Sequence, residues 1–349
     1  MRTAKYIIIL AVILALGCGG STAFRSGKTY FYQHKDYKQA EEAFRQAIEE
    51  QPDNWEAYYY LAQSLAKQEK YAEAKDNFLI AREKAPDDAK KLQVKEMQRS
   101  FFVDHAKRGI TALNTDNFEE AVYQFGMATA VYDEDPVGWV NLGVSYSNTP
   151  ASDAIPDPQV KALEAFQKSV EVDPTYVEGW RNLGISYRNA GNFAKAQESF
   201  DKVVELDPED VDGLLSLGDV SFSLEDYDKA LNSYARAAEL EPDNYDLQFS
   251  LGAAYFNREM YAEAGQAFQK AAAGAMETDP GLYEDALYRL GFSYVKTEDY
   301  DAAIATLTQL IAVSDKPEYH ELLGTAYTKT GQTNAAVAEF QKAKDMRGE

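Results

Sequence analysis

The sequence has few of the residues that form disulfides, bind metals or bind nucleic acid. Among its 349 residues there are one cysteine and three histidines. A single cysteine excludes an intramolecular disulfide, an all-thiolate zinc site and a redox pair of thiols. Basic residues are also scarce, since 35 Lys+Arg against 57 Asp+Glu give a net charge of -22. Because binding to phosphates needs a basic face, we expect no nucleic-acid partner.

The sequence also lacks the short motifs of common catalytic sites. It contains no Gly-x-Ser-x-Gly, no Gly-x-x-x-x-Gly-Lys-Ser/Thr and no His-Glu-x-x-His. With 57 carboxylates some acidic pairs arise by chance, and none stands apart from the repeat pattern described below. We therefore expect no enzyme activity, no cofactor, no metal site and no small-molecule substrate.

The first seventeen residues have the layout of an export signal. Arg2 and Lys5 precede an apolar run over residues 6–16, which is followed by small residues. A charged start, a short apolar stretch and small residues at the cleavage site are typical of a signal peptide. The run is about half as long as the roughly 20 residues that a transmembrane helix needs. We predict a signal peptide over residues 1–17.

The stretch Ala-Leu-Gly-Cys at residues 15–18 resembles the lipobox of bacterial lipoproteins, although Leu and Ala stand in the opposite order from the usual pattern. The resemblance implies a lipid on Cys18, a short tether over residues 18–20 and a location in the bacterial cell envelope. Gly19, in place of an aspartate, implies the outer membrane, facing the periplasm. Cleavage would leave a charge of -24, which anionic lipids repel, so the lipid would have to provide the attachment. An ordinary signal peptide with an incidental cysteine is the alternative.

An alanine four residues before an aromatic or leucine residue recurs along the chain. Successive alanines are separated by 34, 47, 41, 34, 34, 34, 39 and 33 residues, and Leu-Gly-x-x-Tyr precedes most of them. The pattern resembles the tetratricopeptide repeat, a helix–turn–helix unit of 34 residues. The resemblance implies an all-α, right-handed α-solenoid over residues 21–349. About nine repeats lie near residues 21–54, 55–88, 102–135, 136–176, 177–210, 211–244, 245–278, 284–316 and 317–349.

Particular residues recur at fixed repeat positions. Glycine in a helix costs about 1 kcal/mol relative to alanine, so its recurrence predicts close approach of the paired helix that carries the alanine. Repeat one departs from this pattern, with Gly27-Lys28 where Leu-Gly is expected, and repeat nine has Thr333 in the aromatic position. The recurrent glycines are Gly109, Gly143, Gly184, Gly218, Gly252, Gly291 and Gly324. The residues expected to begin second helices are Tyr37, Tyr71, Phe118, Phe193, Tyr227, Tyr261 and Tyr300.

Two insertions interrupt the period. Residues 89–101 contain no proline or glycine and predict a lengthened first helix from near Asp88 to Asn114. Residues 148–159 contain three prolines and predict a loop inside repeat four. The long helix carries a local charge of +4, which we interpret as a basic arm for an acidic partner or lipid headgroups. A solvated face attracted to acidic neighbours of the same chain is the alternative. The arm consists of Lys90, Lys91, Lys95 and Arg99.

The histidines and acidic clusters fit structural roles. His105 and His320 occupy the repeat position of Trp139 and Trp180, so we predict that they are packing residues. Acidic clusters such as residues 207–212 lie at repeat junctions, where aspartate caps the next helix. These clusters are therefore not predicted to bind calcium.

In tetratricopeptide proteins the first helices line a concave groove, and the resemblance implies the same groove here. Asparagine offers a donor and an acceptor to a peptide backbone, arginine pairs with carboxylates, and phenylalanine anchors interfaces. The alternative is that asparagine is merely common at its position and that the aromatic side chains fill the inner wall. The predicted groove residues are Asn141, Arg181, Asn182, Arg188, Asn189, Phe222, Phe249, Phe256, Asn257, Tyr288 and Phe292.

The sequence thus predicts a binding protein. The leading interpretation is a lipid-anchored scaffold or adaptor that captures an extended or helical segment of a partner protein during assembly of a bacterial envelope complex. One alternative is a structural protein that self-assembles through repeat nine, which lacks a capping helix. Another is an accessory subunit of an enzyme that acts on cell wall or polysaccharide.

Overall fold

The computed structural model describes residues 21–348, and every regular element in that range is helical. The predicted all-α fold of about nine helix–turn–helix units is confirmed. The predicted signal peptide, Cys18 and the tether lie outside the described residues.

The described residues up to Gly179 form one compact unit, in which each helix packs mainly against its neighbours in sequence. The predicted loop inside repeat four occupies residues 149–157. The elements are α1 (Thr22–Thr29), a π-helix that continues it (Tyr30–His34), α2 (Tyr37–Glu50), α3 (Trp55–Ala66), α4 (Tyr71–Lys84), α5 (Asp88–Leu113), α6 (Phe118–Val131), α7 (Pro136–Asn148) and α8 (Pro158–Val172).

The residues from Trp180 form a second compact unit, whose helices also pack mainly against their neighbours in sequence. The boundary falls within α9 (Val177–Asn189). The following helices are α10 (Phe193–Leu206), α11 (Val211–Ser223), α12 (Tyr227–Leu240), α13 (Tyr245–Asn257), α14 (Tyr261–Ala275), α15 (Pro280–Lys296), α16 (Tyr300–Val313), α17 (Pro317–Lys329) and α18 (Thr333–Arg347).

The helix starts agree with the sequence pattern. Asp210 accepts a hydrogen bond from the backbone N–H of Gly213 at 2.9 Å, which confirms the predicted capping at this repeat junction. Proline begins α7, α8, α15 and α17, where the missing N–H has no intrahelical partner to lose. All seven aromatic residues predicted to begin second helices do so.

The repeat glycines leave room for a ring of the paired helix. A Cβ added to Gly109 would lie 2.7 Å from a ring carbon of Phe125, and one added to Gly184 would lie 2.8 Å from a ring carbon of Phe200. Both rings are fully buried. The predicted close approach is confirmed, but the ring that follows the recurrent alanine fills the space, rather than the alanine itself.

Repeat one differs by one residue from its predicted register. Gly27 faces the ring of Phe44 in the same way that the other repeat glycines face their rings. It therefore occupies the glycine position, which the sequence spacing assigned to Lys28. Tyr30, three residues after Gly27, completes the Gly-x-x-Tyr motif and is the signal that identifies the true register.

The π-helix accounts for this shift. Lys35 is the left-handed residue of the turn that follows, and Gly27 precedes it by eight residues. In repeat three the equivalent residues, Gly109 and Asp116, are separated by seven. Lys35 donates its backbone N–H to the carbonyl of Tyr30, five residues earlier. This wider turn holds the additional residue. The contact of Gly27 with Phe44 and the left-handed turn at Lys35 are therefore both kept.

The predicted long helix is confirmed as α5, whose 26 residues span about 39 Å. Its first half packs on repeat two, since Lys90 Nζ lies 5.8 Å from the ring of Trp55 and the ring of Phe101 lies 6.2 Å from that of Phe78. Its second half pairs with α6 through Gly109. The helix therefore contacts repeat two and pairs with the second helix of repeat three.

The two histidines at the tryptophan position are buried, as predicted, but they also make polar contacts that the repeat pattern did not indicate. Nδ1 of His105 donates to Oε1 of Gln124 at 2.7 Å. His320 contacts Glu339 through Nδ1 and Asp315 through Nε2. Gln124 and Glu339 each lie nineteen residues after their histidine, so one inter-helix contact recurs with two different partners.

Glu41 of α2 links the first two repeats. Its carboxylate accepts hydrogen bonds from Lys70 at 2.8 Å, from Arg45 at 2.9 Å and from Gln68 at 2.9 Å. Burial alone raises the pKa of Glu41, but these hydrogen bonds outweigh it, so the pKa lies below its ordinary value of 4.5. A depressed pKa adds stability above the ordinary value, and this contribution disappears as the pH falls through the folded-state pKa.

We expect Glu41→Gln to lower the free energy of unfolding by about 1 kcal/mol at pH 7, because a partly exposed ion-pair network is lost. The difference from the unmodified chain should shrink as the pH falls below 4.5. Urea unfolding followed by circular dichroism between pH 7 and pH 4 measures both effects. Glu42→Gln, at the adjacent exposed carboxylate, is the matched control. An equal loss in both variants, or a loss independent of pH, would contradict this role.

Candidate functional site

The predicted groove asparagines bond to their own helices. Nδ2 of Asn141 donates to the carbonyl of Val137 at 3.0 Å, and Nδ2 of Asn257 donates to that of Ala253 at 2.8 Å. A bound peptide that used these donors would have to displace the helix carbonyls. Asn182 is half-buried and Asn189 is exposed.

Arg181 is held by the next repeat. Its guanidinium forms an ion pair with Asp210, the residue that caps α11. The pair ties the first helix of repeat five to the start of repeat six. A carboxylate ligand at Arg181 would compete with Asp210, whose side chain is 6% exposed. Arg188, the residue before the last of α9, is half-buried.

The structure brings three predicted phenylalanines together in repeats seven and eight. The ring of Phe256 lies 5.3 Å from that of Phe292 and 6.4 Å from that of Phe268. The ring of Phe249 lies 5.5 Å from that of Phe268. Phe268 is fully buried, whereas the other three are half-buried. We name Phe249, Phe256, Phe268 and Phe292 the aromatic cluster.

Arg289 lies over the aromatic cluster and was missed by the sequence analysis. The centre of its guanidinium is 5.5 Å from the ring of Phe249 and 6.0 Å from each of the rings of Phe256 and Phe268. Stacking on aromatic faces leaves the N–H edge of a guanidinium available to a carboxylate. Arg289 occupies the same repeat position as Asn141 and Asn182, so its place in the groove pattern was the available signal.

Lys296 adds a second cation to this surface. Its Nζ lies 5.4 Å from the ring of Phe292 and 5.6 Å from that of Tyr261. Within residues 21–348, neither Arg289 nor Lys296 takes part in an ion pair. The surface therefore combines half-buried rings with two cations that remain able to bind an anion.

The other predicted aromatic residues contact different neighbours. The ring of Phe222 packs at 5.3 Å against that of Tyr227, and the ring of Tyr288 packs at 5.3 Å against that of Tyr319. Phe222 and Phe256 hold equivalent repeat positions, and each has the same edge contact with the tyrosine that begins the next helix. Only Phe256 of this pair belongs to the aromatic cluster.

Two of the four cations of the basic arm pair with carboxylates of the same chain. Lys95 pairs with Glu134 at 3.1 Å, and this hydrogen bond raises the pKa of Lys95. Lys91 pairs with Asp88 at 3.4 Å. Lys90 lies over the ring of Trp55, as described above, and Arg99 is exposed. For Lys91 and Lys95, these contacts favour attraction to acidic neighbours of the same chain over docking of a partner.

Between residues 21 and 348, no group of three or more His, Cys, Asp or Glu side chains is placed to hold a metal ion. In the same part of the chain, no helix is long and apolar enough to cross a bilayer.

The repeat architecture is matched by family models. Three models of the tetratricopeptide repeat match the chain. The first model matches residues 25–89, 161–211, 181–238 and 215–280. The second model matches residues 259–326, and the third matches residues 317–349. Since the first of these covers more than half of the chain, the protein belongs to the tetratricopeptide-repeat family. Members of this class are scaffolds for protein–protein interaction, and the predicted repeats are confirmed.

Three similar solved structures each cover about half of this chain. A crystal structure of MamA is 28% identical with a TM-score of 0.44, covering 48% of this chain and 95% of that one. YrrB, described as a TPR protein with an unusual peptide-binding site, is 25% identical with a TM-score of 0.47, covering 54% and 92%. MamA from Desulfovibrio magneticus RS-1 is 19% identical with a TM-score of 0.44, covering 49% and 94%. Among curated proteins, no sequence matches significantly.

Proposed function

We propose that the protein is a lipid-anchored scaffold that captures a segment of a partner protein on the aromatic cluster of repeats seven and eight. The observation that carries this proposal is the guanidinium of Arg289 lying over three phenylalanine rings. The rings offer apolar contact area, and the N–H edge of the guanidinium offers a bidentate site for a carboxylate. The matching segment is extended or helical and places an acidic residue beside apolar side chains.

Crosslinking in membranes tests this surface. We expect Phe256→Ala to recover at least about tenfold less of the specific partners than the unmodified chain, because an interface anchor is worth about 1–2 kcal/mol or more. Arg289→Glu should weaken recovery further by reversing the charge above the rings.

Phe222→Ala is the matched control, since it removes the same ring from the same repeat position and the same tyrosine contact. It should retain the partners, and circular dichroism should show that all three variants remain folded. Equal recovery by Phe256→Ala and Phe222→Ala would reject the aromatic cluster as the binding surface.

The anchor and the location are part of the same proposal. A lipid on Cys18 would hold the scaffold at the outer membrane, facing the periplasm, while it assists assembly of an envelope complex. Support comes from the sequence of the first eighteen residues, which resembles a lipoprotein signal. The strongly acidic body would add no attraction of its own to anionic lipid.

We expect Cys18→Ser to move the protein from the membrane fraction to the soluble fraction of the cell envelope, because the acidic body lacks another means of attachment. Membrane fractionation together with labelling by a fatty-acid analogue measures this change. Ser21→Cys in the Cys18→Ser background controls for the mere presence of a cysteine. A Cys18→Ser protein that still sediments with membranes would contradict lipid anchoring.

Self-assembly is a second candidate, favoured by one observation at repeat nine. Phe340 is 37% exposed, whereas its counterparts Phe200 and Phe268 are fully buried, and Val337 beside it is 62% exposed. Helix α18 therefore presents apolar surface, and the position of Phe340 is buried in repeats five and seven. Light scattering tests this candidate, because a mass that stays monomeric over a wide concentration range would eliminate it.

A further inference from the structure

A second surface that combines cations and rings lies in the first unit, on repeats one and two. Nζ of Lys28 is 5.3 Å from the ring of Tyr60 and 5.6 Å from that of Phe24. The hydroxyl of Tyr32 donates to that of Tyr60 at 3.2 Å. Tyr32 is 57% exposed, so this pair of tyrosines is accessible to a ligand. These contacts join α1 and its π-helix to α3.

Two more cations lie on α1 and at the end of α3. Lys67 lies two helical turns after Tyr60, which places both residues on the same side of α3. Nζ of Lys67 lies 5.2 Å from the ring of Phe101, so this lysine repeats the contact that Lys28 makes. Arg25 is exposed and lies one turn before Lys28.

These three cations differ from most others in the first unit. Arg45, Lys70 and Lys75 each pair with carboxylates of their own chain. Arg25, Lys28 and Lys67 take part in no ion pair within the described range 21–348, although the chain has 57 carboxylates.

The local charge on this surface is positive. Arg25, Lys28 and Lys67 together carry a charge of +3, and none of the three is paired with a carboxylate within residues 21–348. A chain of net charge -22 thus keeps a positive patch with accessible rings at its center. An ammonium group that is covered by a ring on one side remains able to bind a carboxylate on the other.

We propose that Arg25, Lys28, Tyr32, Tyr60 and Lys67 form a docking surface for an acidic segment of a partner protein. Carboxylates of the segment pair with the cations, and its apolar side chains pack on the two tyrosines. Charge complementarity selects this occupant, because the acidic remainder of the chain repels polyanions that extend beyond the patch. The surface is separate from the aromatic cluster and does not depend on it.

Fluorescence anisotropy with a labelled synthetic peptide tests the surface in the full chain. The probe is a peptide of four Glu-Ser-Glu-Phe units, and the reference peptide has glutamine in place of each glutamate. We expect the acidic peptide to bind at least about tenfold more tightly than the neutral peptide, because only the acidic peptide can pair with the cations. Lys28→Glu/Lys67→Glu should weaken binding of the acidic peptide by about tenfold or more, since two attractions become repulsions.

The control variant is Lys38→Glu/Lys270→Glu, which changes the net charge equally at exposed lysines outside the surface. It should bind like the unmodified chain. Binding that is lost in Phe256→Ala but kept in Lys28→Glu/Lys67→Glu would assign the peptide to the aromatic cluster and overturn the proposal. Absence of acidic-peptide binding, or equal weakening in the control, would overturn the proposal. Binding to phosphatidylglycerol vesicles without binding to the peptide would also overturn it and indicate a membrane surface instead.

Discussion

Proline in place of Ser100 is expected to destabilise the first unit by about 3 kcal/mol or more. Ser100 is exposed near the middle of α5, so the substitution removes little side-chain packing. It does remove a helix hydrogen bond and places the proline ring against the carbonyl four residues earlier. Because α5 packs on repeat two and pairs with α6 of repeat three, a kink at this point disturbs both repeats. Urea or thermal unfolding followed by circular dichroism measures the loss.

Asp88→Pro is the control within the same helix. Asp88 is the first residue of α5, where proline is well tolerated, and the preceding Asp87 has the extended backbone that proline requires. We expect this variant to unfold at nearly the same denaturant concentration as the unmodified chain. Similar losses in the two variants would show that α5 does not act as one continuous element.

Alanine substitutions at two glycines of repeat three are expected to have opposite effects. Gly109→Ala places a Cβ against the buried ring of Phe125, and such overpacking costs about 1–3 kcal/mol. This cost exceeds the gain of about 1 kcal/mol in helix propensity. Gly126, in α6, has nothing within 4 Å of an added Cβ, so Gly126→Ala keeps the gain alone.

The unfolding free energy of each variant, measured in urea, gives the sign directly. We expect Gly109→Ala to be less stable than the unmodified chain and Gly126→Ala to be more stable by about 0.5–1 kcal/mol. The chemical change is the same in both, so the difference isolates the contact with the ring. Stabilisation by Gly109→Ala would show that Phe125 moves aside at little cost.

The sequence predicts the helices well because each repeat restates the same residues in phase. The bounds of α5 follow from a stretch without proline or glycine, and the loop at 149–157 follows from its prolines. The tryptophan position similarly identifies His105 and His320 as buried, although it says nothing of their partners. Gln124 and Glu339 lie nineteen residues away on another helix, and no local pattern links them to the histidines.

The candidate sites are harder to predict because they depend on where side chains meet. The contact of Arg289 with three rings joins residues of α13, α14 and α15, and the sequence gives only its repeat position. Lys28 was missed for a different reason. The predicted register placed it at the glycine position, whereas the π-helix moves it to the next position, which belongs to the groove pattern.

The π-helix of repeat one also shows how an array of this kind accommodates changes in gene length. One additional codon between Gly27 and Lys35 is absorbed inside the helix, while the contact of Gly27 with Phe44 and the left-handed turn at Lys35 are both kept. Stacking therefore depends on the distance between these two points rather than on the number of residues that connect them. The additional residue at the end of this first helix therefore changes which side chain occupies the groove position while the contact with Phe44 and the turn at Lys35 are kept.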